Sequence, residues 1–550
     1  MANTYRSIFK WGDKREEKLE KGVIELIKEK FDYSDEDFRQ HYLFGDEEIN
    51  LQQPCSIPEA IIKEFIKLCG TDNVNLDNFA RAAHASAYFF TDLLYLRKGE
   101  IKTPPDVVIY PRSEEEIVEI LQICKRENIA ITPIGGRSSV TRALETPLGG
   151  ISLDLTRHFN KILEVNETNS TVKVQPGVYG PVLEKHLNAF GNGYSCGHFP
   201  QSFEYSTVGG WAAARGAGQS STAYGKIDEM VLALRVITAV GIIETKDYPA
   251  SAQAWDLNKT FIGSEGCLGI ITRISLKIRK YRPQNTAYAS FVFKNFESAT
   301  KSMREIMQSG FGFPSLFRIS DPEETATAFK IKGFENSFSD KVLKTLGYSP
   351  GKRCLMFVTV DGDKDYAHLV KKKIKKIVRS KGGFSVGGKP TKDWLKQRYS
   401  SAYLRDPLMD IGIMTDTVET AVAWDKLIVL WKAVRAYFEK RDKTHVMAHI
   451  SHVYENGANL YFTFLSPMKK GIEIEDYLQL HKGLIDTIHH NGGSLSHHHG
   501  IGRALAPWME EEMGKTAMGL MQATKDFLDP EGILNPGDTL GLNSTLPKHR

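Results

Sequence analysis

Pro133-Ile-Gly-Gly-Arg-Ser-Ser-Val140 sets two glycines beside two serine hydroxyls. Glycine lets a backbone take positive φ and come close to a ligand. Successive N–H groups in such a turn form a concavity for phosphate oxygens. By itself the run could equally be a tight turn. A second run, Gln201-Ser-Phe-Glu-Tyr-Ser-Thr-Val-Gly-Gly210, continues through Ala212, Ala213, Ala214, Gly216, Ala217 and Gly218. These side chains are too small to build a core and suit a backbone pressed against a large flat ligand. The third run is Gly263-Ser-Glu-Gly-Cys-Leu-Gly269. Three such runs, each beside an expected strand, are hard to explain as three accidental turns. No G-x-G-x-x-G stands at a strand–helix junction, so a Rossmann nicotinamide site is not supported.

Other residues offer acid–base and anion chemistry. Arg405 can grip a phosphate with two parallel hydrogen bonds, or pair with its neighbour Asp406. Arg318 has a comparable alternative in Asp321. A free tyrosine such as Tyr454 keeps its proton to a pKa of about 10. Efficient acid catalysis would need neighbours to lower that value. His497, His498 and His499 are consecutive. In extended chain only His497 and His499 would share a face. A zinc site needs further ligands and a binding geometry, and no metal is assigned.

These groups need a scaffold. Asp106–Tyr110 reads as a strand, and Ser113 as the cap of a helix with Glu114, Glu115 and Glu116 in its first turn. Ile117, Ile120, Leu121 and Cys124 form the buried face of that helix. A strand over 129–134 then runs into Gly135. Further strands are expected at 151–155, 161–165, 171–175, 230–238, 242–244 and 270–278, with a helix after Pro181. From 284 to about 490, strands at 288–293, 354–359 and 458–464 alternate with helices at 298–309, 365–379, 421–438 and 474–490. Residues 14–31 and 56–69 read as amphipathic helices, the first burying Ile24, Ile27 and Phe31. The expected division is a helical region 1–103, a glycine-loop domain 104–283, an α/β cap 284–493 and a closing segment 494–550.

Composition narrows the class. At 550 residues the chain exceeds one core. Its 71 basic and 67 acidic residues leave a net charge of +4, so no nucleic-acid footprint is indicated. None of the six cysteines is spaced C-x-x-C, which favours reduced thiols in a cytoplasmic protein. Neither a secretory leader at Met1–Lys10 nor a peroxisomal tripeptide in Pro-Lys-His-Arg550 is expected from these residues, and no apolar stretch of about 18 residues is seen.

The ordered motifs P-x-G-G-x-S, S-T-V-G-G and G-S-E-G-x-L-G resemble the FAD-binding domain of the vanillyl-alcohol-oxidase (PCMH-type) superfamily, from about Pro104 to the end. The resemblance implies an α+β fold: a PCMH-type FAD-binding domain of two α/β subdomains, an α/β cap and a C-terminal helical segment. It also implies FAD contacts at Pro133, Ile134, Gly135, Gly136, Arg137, Ser138 and Ser139. Further contacts fall at Gln201, Ser202, Phe203, Glu204, Tyr205, Ser206 and Thr207, and at Ala213, Ala214, Arg215 and Gly216. The last set is Gly263, Ser264, Glu265, Gly266, Cys267, Leu268 and Gly269. Arg137 stands where the family often has glycine. The first loop has no His or Cys where some members attach FAD covalently, so dissociable FAD is expected.

In the second half, Ser400–Asp406, Glu419–Asp425, His452–Phe462 and Gly493–Gly500 look like the alkyldihydroxyacetonephosphate synthase family. That family exchanges the acyl chain of acyl-dihydroxyacetone phosphate for a fatty alcohol, with a flavin N5 adduct and no net redox. The resemblance implies Arg405 and Arg318 near the substrate phosphate, Tyr454 as general acid, His498 and His499 near the flavin, and Thr207 near N5. It further implies acyl-dihydroxyacetone phosphate and a long-chain alcohol as partners, peripheral membrane contact at an apolar tunnel mouth, and a homodimer. Family members in animals are peroxisomal. FAD-dependent D-2-hydroxy-acid dehydrogenases share the fold, but read G-E-H-G-I-G where this chain has His497-His-His-Gly-Ile-Gly502. A flavin-binding protein without activity is the third alternative.

Overall fold

Successive residues of a strand face opposite sides of its sheet, and this alternation divides the second half of the chain between core and cavity. In the computed structural model, which describes residues 3–12, 18–40 and 42–542, seven strands pair antiparallel throughout. Their order is Phe384–Gly387, Ala287–Phe293, Cys354–Val360, Leu316–Ser320, His445–Ile450, Gly457–Pro467 and Ile413–Ala423. Phe291, Phe317, Ile319, Met356 and Val358 point to one side. There they pack under the helices Phe296–Met307, Lys364–Ser380, Trp424–Glu439 and Glu473–His490. Val292, Leu316, Leu355 and Phe357 point to the other side. So do Arg318, Ser320, Thr415, Thr417, His449 and Tyr461, which reach a large cavity.

The glycine-rich half has a four-stranded sheet, a five-stranded sheet and a short pair, Tyr194–Ser195 with Arg279–Lys280. The four-stranded sheet has the order Val74–Asn75, Val107–Ile109, Ile151–Asp154, Ile131–Ile134, and its last three strands are parallel. Parallel strands need a crossover, and the helix Glu114–Glu127 carries the chain from Val107–Ile109 over to Ile131–Ile134 on the far side of Ile151–Asp154. The Ser113 hydroxyl accepts from the Glu116 N–H at 3.3 Å, and Ile117, Ile120, Leu121 and Cys124 are buried as expected. The five-stranded sheet is antiparallel, in the order Ile162–Asn166, Thr171–Val174, Ile270–Lys277, Val231–Thr238, Gly241–Glu244. The α+β class holds.

Several boundaries move. The expected helix over 14–31 is observed as Lys21–Phe31, and residues 14–17 lie outside the described ones. It buries Val23, Leu26, Ile27 and Phe31, while Ile24 stays partly exposed. Residues 421–423 end the strand Ile413–Ala423 instead of starting a helix. Sequence reading passed over the strands Leu316–Ser320, Phe384–Gly387, Ile413–Ala423 and His445–Ile450. Leu316–Ser320, Ile413–Ala423 and His445–Ile450 mix polar residues into the cavity-facing side, which blurs the apolar alternation, and Phe384–Gly387 is only four residues long. The C-terminal tripeptide considered above also lies outside the described residues.

The C-terminal segment returns to the first half. Ile131 donates its N–H to the Ile533 carbonyl at 2.8 Å, and the Asn535 N–H returns to the Ile131 carbonyl at 2.8 Å. The buried Lys525 ammonium, on the helix Lys515–Leu528, is held by Asp529 (2.5 Å) and by the carbonyls of Cys267 (2.8 Å) and Leu534 (2.7 Å). Asn535 adds a bond to the Glu265 carbonyl at 2.7 Å. One ammonium thus fixes the third glycine run to the tail. Removing one member of a buried pair strands the other charge and costs about 3–5 kcal/mol. Lys525→Met should lower the stability of the purified protein by that order, read as a lower midpoint in denaturant.

Candidate active site

The cavity measures about 1680 Å³ and runs between the glycine runs and the seven-stranded sheet. Its first wall is built from Pro133, Ile134, Gly135, Gly136, Arg137, Ser138 and Ser139. Among the described residues, no backbone N–H of 136–139 donates to another protein atom, so these donors are available to an anion. Arg137 holds φ +57°, the left-handed conformation that glycine favours. The turn keeps its glycine-like shape, and the Arg137 guanidinium is drawn away to the Ala83 carbonyl.

Gln201, Ser202, Ser206, Thr207, Ala213, Ala214, Gly216, Ser264, Glu265, Gly266 and Gly269 complete this wall. Thr207 is buried, and its hydroxyl caps the helix Val208–Ala213 by accepting from the Gly210 N–H at 3.3 Å. A Cβ on Gly135 would meet the Thr207 Oγ1 at 2.5 Å. Seven expected contacts stand off the wall. Phe203 stacks on Tyr399, Glu204 accepts from the Tyr403 hydroxyl at 3.0 Å, and Tyr205 packs edge-on against Trp11. Arg215 pairs with Asp228 at 3.0 Å. Gly263 lies against the Arg215 side chain, while Cys267 and Leu268 are turned into the core.

The two arginines differ. Asp406 is taken by the Trp11 N–H at 2.8 Å and faces Arg97 at 3.6 Å, so it is not the partner of Arg405. Arg405 donates to the Tyr88 carbonyl at 3.1 Å and stands on the cavity wall. Among the described residues no carboxylate lies within 4.0 Å of it. Arg318 also reaches the cavity, but it is bound to Glu324 and not to Asp321, which instead meets Arg435 at 3.3 Å. Burial would raise the Glu324 carboxyl, yet Arg318 and His449 bring it down to about 2. Arg318 is therefore already neutralised, while Arg405 keeps its charge for an anion.

The three histidines wrap around one carboxylate. The buried Glu419, on the strand Ile413–Ala423, accepts the backbone N–H groups of His497 (2.8 Å), His498 (3.1 Å) and His499 (3.0 Å) and the Ser496 hydroxyl (2.8 Å). Burial pushes its carboxyl up, and His498 and His499 more than reverse this, holding it well below the usual range. The segment is a turn and not an extended chain, so the alternation expected from sequence does not apply. His498 and His499 line the cavity, with rings 4.6 Å apart, and His497 sits behind them.

Tyr454 is not on the cavity wall either. Its hydroxyl lies 2.6 Å from the His497 Nε2, and the His497 Nδ1 lies 2.9 Å from the His498 Nδ1. Two hydrogen assignments satisfy both contacts: the phenol donates to Nε2 and the His497 Nδ1–H donates to His498, or the His498 Nδ1–H donates to His497 and the His497 Nε2–H donates to the phenol oxygen. Tyr454 thus reaches the cavity through two imidazoles. Burial, then Glu229 and Asp228, pushes its pKa up, opposite to the lowering that its expected role calls for. It stays protonated at neutral pH. Burial, followed by the nearby His498, pushes His497 well below its ordinary value, so this ring is neutral. His452 stacks on His497 at 5.1 Å, and ring nitrogens of His452, His497 and His498 lie within 4.8 Å of one another. A divalent cation could use that spacing, but both nitrogens of His497 are already engaged.

Comparison with known proteins fits this geometry. A model described as FAD binding domain matches residues 105–246, and one described as FAD linked oxidases, C-terminal domain, matches 282–539. The chain is 34% identical over 507 residues to alkyldihydroxyacetonephosphate synthase of Dictyostelium discoideum, covering 89% of this chain and 82% of that protein. It is 31% identical over 518 residues to the protein of that name from Trypanosoma brucei brucei, covering 90% and 83%. The chain belongs to the alkyldihydroxyacetonephosphate synthase-like FAD-linked oxidases. A solved alkyldihydroxyacetonephosphate synthase superposes with TM-score 0.84 at 28% identity, covering 97% of this chain and 99% of that one.

FAD suits the cradle of this FAD-linked oxidase. Free N–H donors meet the demands of a pyrophosphate, and the walls at Ala213, Ala214 and Gly216 leave room for a flat ring. His198 lines the same cavity, is buried against Trp211, and has no hydrogen-bond partner on either ring nitrogen. Sequence reading passed over His198, and it gave no role to Glu419 or His452, although each opens a segment that resembles the synthase family. The one signal for Glu419 was an acid in a strand of Thr, Val and Ala. A hydrogen bond to a charged group is worth about 1.5–3 kcal/mol. Glu419→Gln should lower stability by about that amount, measured by denaturant unfolding, because its amide end presents hydrogens to N–H donors.

Proposed function

We propose that the chain is a flavin-dependent alkyl transferase that exchanges the acyl chain of acyl-dihydroxyacetone phosphate for a fatty alcohol. One observation carries the reading. Beyond Arg405 and the histidine turn the cavity continues into an arm walled by Phe329, Phe334, Leu343, Leu355, Phe357 and Trp394. A small hydroxy acid would leave this wall unused. A long alkyl chain would cover it, gaining about 0.8 kcal/mol per buried methylene.

The glycine-loop region (104–283) carries the flavin in this reading, region 284–493 receives the chain, and 494–550 closes the site. FAD, bound without a covalent link, supplies the electron-rich centre at which one chain replaces the other with no net oxidation. Arg405 binds the phosphate as a fork. The bond from the substrate carbon to the acyl oxygen breaks, and the fatty acid departs as its carboxylate. The alcohol oxygen bonds to that carbon and gives up its proton. His498 and His499, on the wall, move protons there, and Tyr454 acts on His498 through His497. The apolar arm excludes water that would compete with the alcohol.

The test offers the flavin-loaded protein palmitoyl-dihydroxyacetone phosphate with hexadecanol, and separately D-lactate with a dye acceptor. Ether product without dye bleaching is expected; dye reduction without ether product contradicts the reading. Arg405→Ala should raise the KM for the phosphate substrate at least about tenfold, the loss of one charge-assisted contact, and keep its flavin absorbance. Tyr454→Phe should also keep FAD while slowing exchange about a hundredfold or more.

A further inference from the structure

A second cavity, of about 30 Å³, lies behind the wall at His499. Thr141, Asp416, Thr417, Tyr477, His481 and His499 supply its polar lining, together with Glu419. A buried water needs about 10–15 Å³ of such space and two to four polar partners, so one fits here. Val140, Asp416, Thr417 and His499 border the large cavity as well. The partition between the two cavities is therefore built around a carboxylate, a hydroxyl and an imidazole.

The transferase reading leaves one proton to be placed. The alcohol gives it up and the fatty acid departs as its carboxylate, so each turnover releases one proton. The neighbouring carboxylates are engaged. Glu419 holds the histidine turn, Glu265 accepts the N–H groups of Ile501 and Gly502, and Glu324 is bound by Arg318 and His449. Asp416 differs. Its Oδ2 accepts the Tyr477 hydroxyl at 2.6 Å, and among the described residues no Lys or Arg lies within 4.0 Å of it. Burial raises its carboxyl, and Tyr477 and the more distant Arg405 only partly offset this, so it is a stronger base than an exposed aspartate. Tyr461, His481, His499 and Glu419 complete its titratable surroundings, with Asp92 beyond Tyr477. Burial lowers His499 to about 4, so that ring is neutral and can take a proton on one nitrogen while releasing one from the other.

We propose that Asp416 is the terminal proton acceptor of the site, reached from His499 through one water in the small cavity. The alcohol O–H bond breaks as its oxygen bonds to the substrate carbon, and the proton goes to one His499 nitrogen. The hydrogen on the other His499 nitrogen passes to the water, and the water passes one to the Asp416 carboxylate. The carboxyl gives it back to solvent once product has left. Asp416 acts through His499 and not on the substrate itself. A phosphate on Arg405 cancels positive charge that steadies the ionised carboxyl, so substrate binding makes Asp416 more basic when a base is needed. This rests on the alkyl-transferase reading.

The test measures ether formation against pH with the full-length, flavin-loaded protein and three variants, each checked for retained flavin absorbance. Asp416→Asn should lower kcat about a hundredfold and leave the KM for the phosphate substrate unchanged, and Asp416→Glu should restore most of the rate. The acceptor must be ionised, so the rate falls as pH drops through its pKa. Tyr477→Phe removes a hydrogen bond to the ionised form, raises that pKa further and should move the acid limb to higher pH. In Asp416→Asn the limb should fall back to that of His499, about 4. A purely structural aspartate predicts a change in stability or KM with the acid limb unmoved. An unchanged kcat in Asp416→Asn, an Asp416→Glu variant as slow as the Asn one, or an acid limb unmoved by Tyr477→Phe overturns the proposal. Should Asp416→Asn lose its flavin, the limb in Tyr477→Phe decides alone. No ether product from the unaltered protein removes the transferase reading and the relay with it. Ether product with an unaffected Asn variant removes the relay alone.

Discussion

A single buried carboxylate joins the two halves of the site. Glu419 sits on an outer strand of the seven-stranded sheet, and it collects three consecutive backbone N–H groups and a hydroxyl from the segment that closes the cavity. An ionised carboxylate inside a protein needs such donors to stay charged. The histidine turn in turn needs an acceptor for N–H groups that no helix or strand satisfies. Each solves the other's problem, and the geometry of the site follows. His498 and His499 are delivered to the cavity wall, and His497 is pinned behind them where Tyr454 can reach it.

The glycine runs depend on a comparable device at the other end of the cavity. Their donors face the cavity because the chain is held open from behind. Lys525 and Asn535 secure the third run, and Thr207 spends its hydroxyl on a helix cap. Glu265 ties the same run to the histidine segment through the N–H groups of Ile501 and Gly502, at 2.7 and 2.8 Å. The cradle and the imidazoles are thus parts of one framework, fixed by buried polar contacts whose individual loss is expensive.

Much of this was legible in the chain. The glycine runs, the helix Glu114–Glu127 and most strands of the first half follow from local patterning, because short elements there alternate cleanly with turns. Pro133 to Ser139 all stand on the cavity wall, as does Val140, which was not singled out, and the positive φ of Arg137 explains why its turn behaves like one with glycine. The partners of charged groups were not legible. Asp406 and Asp321 are adjacent or near in sequence to Arg405 and Arg318, yet they serve Arg97 and Arg435. The pairing that matters, Arg318 with Glu324, emerges only when a strand and the following helix fold back on one another. Tyr454 shows the same limit: its type and position suggested direct contact, and the fold sets one imidazole between it and the wall residue His498. His198 and Glu419 carried almost no local signal, since a buried polar residue is defined by its surroundings in three dimensions.

The central claim is that one cavity seats FAD along the glycine runs, with the Glu419-held imidazoles at its ring, and takes an alkyl chain into the arm beyond. A crystal structure of the protein with FAD and hexadecanol measures this directly. The account predicts flavin density against Gly135–Ser139 and Ala213–Gly216, His498 and His499 beside its ring, and the alkyl chain against Phe357 and Trp394. A chain bound elsewhere, or a flavin ring remote from both histidines, would contradict it.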